Sequence, residues 1–405
     1  MKEICFNDVL FACSQALDYV EYELLGATDH HSKRVAWMGM ELGNALGMED
    51  KDLIDLVACA LLHDNALAEY IATELRGTDT HQRMDIGIHC KLGERNIACL
   101  PMATNQDGAV LYHHENADGS GPFGRTAKET PLAAQIIHLA DQLDVALDLG
   151  HWEEGKAAVI QGYLSMNRDR CFSGELVDLF WDTFTLSDLS SLEGGALEAR
   201  IEARLPRRTA LYSHKQFRDM ATLFARITDY KSASTCQHSM GIAEKLEQMG
   251  RYYGYDAEGC MDLFMAGAFH DIGKLMVPNA VLEKPGRLTV GEYEIMKTHA
   301  EKSDGILSHI EGFETLRKWA CQHHEKLDGS GYFKGLSAGD LDFEERLVAC
   351  VDIYQALTEP RPYKSGLTHA VAIKMMSKMV EKHQIDGGIV GDLDRVMGRR
   401  SAFIH

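Results

Sequence analysis

One ordered set of metal-binding side chains is written twice in this chain. That doubling constrains the fold more than any bulk property. The second half reads His238, His270-Asp271, His299, His323-His324 and Asp352. The first half reads His31, His63-Asp64, His89, His113-His114 and Asp141. The offset is 207 positions for the first three residues, 210 for the next three and 211 for the last. Chance does not keep seven such positions in register over that distance. An internal duplication does, and it predicts two related domains, each with a metal site at its centre. A length of 405 residues is compatible with that count.

Helical periodicity dominates the rest. Leu53, Leu56, Val57, Ala60 and Leu61 share one helical face, as do Leu263, Phe264, Gly267 and Ala268. Pro is scarce and alternating runs are short, so the fold class expected is all-α, in two tandem helical domains. The first domain is expected over 1–186, a connector over 187–211 and the second domain over 212–405. Lys156 to Phe184 has a counterpart in Ala370 to Met397, so the duplication extends beyond the ligands. Within the connector, Gly194 to Arg208 reads as a charged helix ending at Pro206.

Composition removes several function classes. An apolar fraction of 45% supports a sizeable core. A formal net charge of −20 argues against a surface that wraps a nucleic-acid polymer. It leaves room for a small anionic substrate in a local cationic pocket. Met1 to Ser14 carries acids and no long apolar core, unlike a signal peptide, and no run is long enough to span a membrane. A cytoplasmic location is expected. The ten cysteines show no Cys-x-x-Cys, and Cys59, Cys99 and Cys350 sit among apolar residues. They read as reduced packing residues rather than ligands.

The chemistry follows from the donor set. His270-Asp271 ends an apolar helical run, Met261 to Phe269, where adjacent buried His and Asp are costly unless paired or metal-bound. On a helix the two diverge by about 100°, so each faces a different part of one cluster, and the aspartate can bridge two cations. Five imidazoles and two carboxylates suit first-row transition metals better than magnesium or calcium. The set is too large for one ion and fits two. Two ions about 3.5–4 Å apart can hold a bridging hydroxide and clamp a phosphoryl group for in-line attack. Lys274, three residues after Asp271, is expected on the same side of the pocket. Arg361 and Lys364 add two cations suited to phosphate oxygens. The Gly-rich loop Asp328 to Phe333 follows the His pair and is expected to face substrate.

The runs His270-Asp271-Ile272-Gly273-Lys274, His323-His324-Glu325 and Asp328-Gly329-Ser330-Gly331-Tyr332 resemble the HD-GYP subgroup of the HD phosphohydrolase superfamily. The resemblance covers most of 212–405, and the first half resembles a diverged HD domain of the same descent. It implies a metal-dependent phosphodiesterase that opens a cyclic dinucleotide, cyclic di-GMP or the mixed 3′3′-cyclic GMP-AMP, to the linear 5′-phosphorylated form. It implies one metal held by His238, His270, Asp271 and Asp352, and a second held by Asp271, His299, His323 and His324. The metals implied are iron or manganese, with nickel, cobalt or zinc as alternatives. Lys274, Arg361 and Lys364 match the phosphate-contacting positions. Asp271 and Lys274 are the catalytic residues implied, with Tyr332 at the substrate. The sequence departs from the pattern at Phe333, which stands where the family has proline. Ser234 stands where some members place a third-metal glutamate, so two metals per site are expected.

In the first half all seven ligand positions are filled: His31, His63, Asp64, His89, His113, His114 and Asp141. Leu67 stands where Lys274 does, Gly121-Pro122-Phe123 replaces the tyrosine motif, and nothing resembling Arg361 to Lys364 follows Asp141. This half is expected to bind metal, to hydrolyse little or nothing, and to regulate the second half or form a homodimer surface. The competing reading for the whole chain is a sensor that binds a cyclic dinucleotide without turning it over.

Overall fold

The computed structural model describes residues 2–25, 29–74, 85–192, 196–231, 238–360 and 365–401. It is all-α apart from one pair of short strands. The chain divides into two compact units, Cys5–Thr209 and Met1–Ile4 with Ala210–His405. The first carries α1 Phe6–Leu25, α2 His31–Ala45, α3 Asp50–Leu61, α4 Leu67–Glu74, α5 Ile86–Ile97, α6 Leu132–Leu147, α7 Lys156–Asn167, α8 Gly174–Thr183, α9 Leu186–Ser190 and α10 Leu197–Glu202. Strand β1 Lys2–Cys5 pairs with β2 Thr209–Tyr212. Helices α11 His214–Lys231, α12 His238–Tyr253, α13 Ala257–Phe269, α14 Asn279–Leu282, α15 Val290–Leu307, α16 Glu314–Cys321, α17 Phe343–Thr358, α18 His369–Glu381 and α19 Gly387–Ser401 follow. A 3-10 turn, Ile272–Met276, lies between α13 and α14.

Local chemistry explains where the ligand-bearing helices begin. Asp256 caps α13 by accepting from Gly259 N at 2.8 Å. Thr289 with Glu292 closes a capping box at α15, and Asp342 with Glu345 closes one at α17. Each places an acid against the positive end of its helix. The predicted faces are buried: Leu53, Leu56, Val57, Ala60 and Leu61 in α3, and Leu263, Phe264 and Ala268 in α13. A β-carbon on Gly267 would lie 2.8 Å from the Ala243 backbone, so the bare glycine lets α13 press directly on α12. The residues read as a connector form α9, α10 and a strand. The charged helix there is shorter than its sequence pattern, ending at Glu202 with a turn before Pro206. Among the described residues no helix is long and apolar enough to cross a membrane.

Candidate metal centre

In the second unit six stretches of the fold bring the predicted ligands together. His238 opens α12, His270 caps the C-terminus of α13, and Asp271 begins the 3-10 turn. His299 lies in α15, His323 and His324 follow α16, and Asp352 lies in α17. The His-Asp pair therefore sits at a junction and not within a helix: Asp271 has left α-helical geometry, at φ −105 and ψ 9. That break separates its two oxygens between two clusters. Oδ2 lies 3.0 Å from His270 Nε2 and 3.8 Å from His238 Nε2. Oδ1 lies 3.4 Å from His299 Nε2 and 3.8 Å from His323 Nε2. Asp352 Oδ1 completes the first cluster, 3.3 Å from His238 Nε2. Donor atoms of His238, His270 and Asp352 gather within 4.8 Å of one another, as do those of His299, His323 and His324.

The imidazoles are oriented as ligands. The Nδ1 of His270, His299 and His323 donate to the carbonyls of Gly267 at 2.7 Å, Met296 at 2.7 Å and Ala320 at 2.6 Å. Each leaves Nε2 as a lone-pair donor facing inward. Those three Nε2 atoms and Asp271 Oδ1 are buried without a hydrogen-bond partner among the described residues. Four orphaned buried ligand atoms across the two clusters are costly in a bare protein, and bound cations would remove that cost. The residues present fit transition-metal ions. Burial also keeps His299 and His323 below the ordinary imidazole range and brings His324 to about 3, so all three are neutral, the form that ligates. Burial alone would raise the Asp271 carboxyl, but His270 and Lys274 beside it hold it well below the carboxylate range.

Three supporting acids were not singled out in the sequence as structural supports. Glu359 Oε2 lies 2.9 Å from His238 Nδ1 and fixes that ring. Asp229 of α11 accepts from Ser239 N and Oγ, tying down the start of α12, and burial pushes its carboxyl up to about 7. Glu325 accepts from Lys334 N at 2.6 Å, Gly335 N at 3.1 Å and Leu336 N at 2.9 Å, so its buried carboxylate braces the Gly-rich loop. The duplication register marks one of them, Glu115, which accepts from Phe123 N and Arg125 N as Glu325 does from its loop. Asp18 accepts from Ser32 N and Oγ as Asp229 does from Ser239, but from a position outside that register.

Lys274 is carried by the 3-10 turn and pairs with Asp271 Oδ2. Tyr332 stacks on His324, ring centroids 4.7 Å apart, and Phe333 is half-buried under Lys334. Arg361, Lys364 and Ser234 lie outside the described residues.

The first unit repeats the arrangement. Asp64 Oδ1 lies 3.3 Å from His89 Nε2 and 3.6 Å from His113 Nε2, and its Oδ2 lies 3.8 Å from His63 Nε2. Asp141 lies 3.3 Å from His31 Nε2 and 3.7 Å from His114 Nδ1. Asp144, bonded to Arg34, holds His31 Nδ1 at 2.6 Å, the service Glu359 gives His238. Leu67, where Lys274 would be, is buried apolar bulk. Two groups have no equivalent in the sequence reading. Cys90 is buried with Sγ 3.7 Å from His89 Nε2. Burial works to raise its thiol, and His113 and His89 outweigh that, bringing it to about 7. Glu21 of α1 is buried with neither carboxylate oxygen bonded among the described residues.

Comparison with known proteins gives this geometry a class. HD-domain family models match residues 217–389 and 28–146. The 3′3′-cGAMP-specific phosphodiesterase 1 of Vibrio cholerae is 30% identical over 95% of this chain and 90% of its own length. The 3′3′-cGAMP-specific phosphodiesterase 3 of that organism is 26% identical over 92% of this chain and 90% of its own. A cyclic di-GMP phosphodiesterase of Pseudomonas aeruginosa is 33% identical over 36% of this chain and 35% of its own. The crystal structure of a cyclic GMP-AMP phosphodiesterase of V. cholerae shares the fold, with a TM-score of 0.66, 22% identity and 98% coverage of both chains. The chain belongs to the HD-GYP family of HD-domain phosphodiesterases. It is an enzyme, a phosphoric diester hydrolase.

Proposed function

We propose that the second unit, 212–405, is a metal-dependent phosphodiesterase that hydrolyses 3′3′-cyclic GMP-AMP to its linear 5′-phosphorylated dinucleotide. The observation that carries the reaction is the split of Asp271: one oxygen turned to His238, His270 and Asp352, the other to His299 and His323. Two transition-metal ions, iron or manganese, bound in those clusters would supply Lewis acidity and a water made nucleophilic at neutral pH. Asp271 holds the two clusters in one register. Lys274 turns its ammonium from Asp271 to a phosphate oxygen, with Arg361 and Lys364 as further phosphate contacts. Tyr332, braced on His324, walls the side of the site nearest the Gly-rich loop. Water adds to a bridging phosphorus, the 3′-oxygen leaves, and the ring opens. Preference for the mixed dinucleotide is supported by the breadth of the similarity. Two cGAMP-specific relatives match across both units, at 95% and 92% of the chain, whereas a third and the P. aeruginosa cyclic di-GMP enzyme each match 36%.

The test is a substrate panel of 3′3′-cyclic GMP-AMP, cyclic di-GMP and cyclic di-AMP with purified protein loaded in turn with iron, manganese, nickel, cobalt and zinc. Linear product is expected, fastest from the mixed dinucleotide, and Asp271→Ala is expected to slow it by at least about 10³-fold. Binding without linear product over hours in every metal form sinks the reading and makes the protein a sensor. Faster turnover of cyclic di-GMP sinks only the specificity.

A further inference from the structure

We propose that the first unit carries a metal centre of a different chemical kind: a tetrahedral pocket of three imidazoles and one thiolate, from His89, Cys90, His113 and His114, that holds zinc as a structural ion. The proposal is independent of the second unit's reaction, which neither requires nor excludes it.

The geometry comes first. Donor atoms of the four residues lie within 4.8 Å of one another. His89 Nε2 is 3.4 Å from His113 Nε2, and Cys90 Sγ is 3.7 Å from His89 Nε2. Zinc bonds of about 2.3 Å to sulfur and 2.0–2.1 Å to nitrogen give a tetrahedron whose N–N edge is about 3.4 Å and whose S–N edge is about 3.6 Å. Both distances already match without rearrangement. His113 Nδ1 donates to Val110 O at 2.5 Å, so its Nε2 presents a lone pair toward the pocket. His89, Cys90 and His113 are buried.

A second observation concerns charge. Glu21 stands among His31, Asp18, Asp64 and Asp141 with both oxygens unbonded among the described residues. Burial pushes the Glu21 acid well above its ordinary range, and a cation held anywhere in this unit's His and Asp set would offset the carboxylate charge around it, without choosing between the unit's two clusters.

The two copies differ where this proposal needs them to. Ala300 occupies the place of Cys90 in the second unit, whose corresponding cluster is His299, His323 and His324 with no sulfur. In the second unit Asp271 Oδ1 faces those histidines as the fourth protein donor. In the first, Cys90 Sγ offers a fourth donor of a different kind and completes a tetrahedron with no carboxylate. A soft thiolate among imidazoles selects zinc over the harder metals of a hydrolytic centre. A closed ion has no use for a phosphate-gripping lysine, and Leu67 stands in that place. Asp64 Oδ1, 3.3 Å from His89 Nε2, is the competing fourth donor. If it wins, the first centre resembles the second.

Cobalt substitution of the full chain separates these cases. Among the described residues no cysteine other than Cys90 belongs to a candidate metal cluster. Thiolate-to-cobalt charge transfer in the near ultraviolet therefore reports Cys90. The band is expected in the parent protein and lost in both Cys90→Ser and Cys90→Ala, each checked for fold by circular dichroism. Cys236 lies outside the described residues, and Cys236→Ser is expected to keep the band. A variant-free measurement accompanies it: zinc-edge X-ray absorption on the zinc that survives dialysis, where one sulfur neighbour at about 2.3 Å is expected. No band in the parent, a band that persists without Cys90, or zinc with only nitrogen and oxygen neighbours each overturns the proposal.

Discussion

Glu359 does its work through His238. It lies seven positions after Asp352 and fixes the ring from the far nitrogen. Such outer partners are worth about 10–100-fold in metal affinity. Glu359→Ala is expected to weaken metal binding at the second centre by that factor in a competition titration, with the fold retained. Gly273 acts through space. A β-carbon there would fall 2.1 Å from His299 O and 2.5 Å from Ser303 N, and both are backbone atoms that cannot step aside. Ser303 Oγ bridges the same contact, accepting from Gly273 N at 2.8 Å and donating to His270 O at 3.0 Å. Gly273→Ala is expected to cost about 1–3 kcal/mol through overpacking, read as a lower denaturant midpoint. The first unit solves the same crowding in reverse, with Ala66 and Gly93 at the matching places.

Among the elements, the loop after α16 depends most on a single side chain. Gly331 lets the chain turn back on itself, because a β-carbon there would lie 2.5 Å from Glu325 Cα. Glu325 then collects three backbone N–H groups from the far side of the turn. Charge-assisted bonds to buried carboxylates are among the stronger polar contacts in proteins. Removing the carboxylate frees Tyr332 from its seat on His324. Glu325→Ala is expected to lower kcat on the order of 10²-fold through misplaced contacts while metal content stays at the parent level. Loss of metal in step with activity would instead mean that Glu325 supports the ligands themselves. The 3-10 turn between α13 and α14 is a second such device, since ending the α-helix at Phe269 is what turns Asp271 toward both clusters.

For the whole molecule, metal taken up at either ligand set would be coupled to folding, because neither set is assembled in the unfolded chain. A ligand present at about 100 times its Kd adds about 2.7 kcal/mol. Exhaustive chelation is therefore expected to lower Tm by about 5–10 °C for units near 200 residues, followed by calorimetry, with recovery when metal is returned. An unchanged Tm would mean that the ligands are preformed without it. Helical periodicity was enough to read the all-α class, and the seven-residue register, repeated at nearly constant spacing, the duplication and the ligands brought together in each unit. Those are local or periodic properties, carried by residue type and interval. The loss of Lys274's counterpart at Leu67 was equally legible, because charge is written in the residue itself. Asp229, Glu359, Glu21 and Cys90 were not legible as parts of a centre. Each reaches its partners from an element whose approach is set by packing, and their spacing carries no motif. By itself the sequence determined which chemistry each unit can hold; the tertiary structure decided how Asp271 divides its oxygens, and it brought Cys90 to the three histidines beside Asp64. The physical reason is that a donor's identity is covalent, whereas the distance between donors on separate helices is fixed only when the core packs.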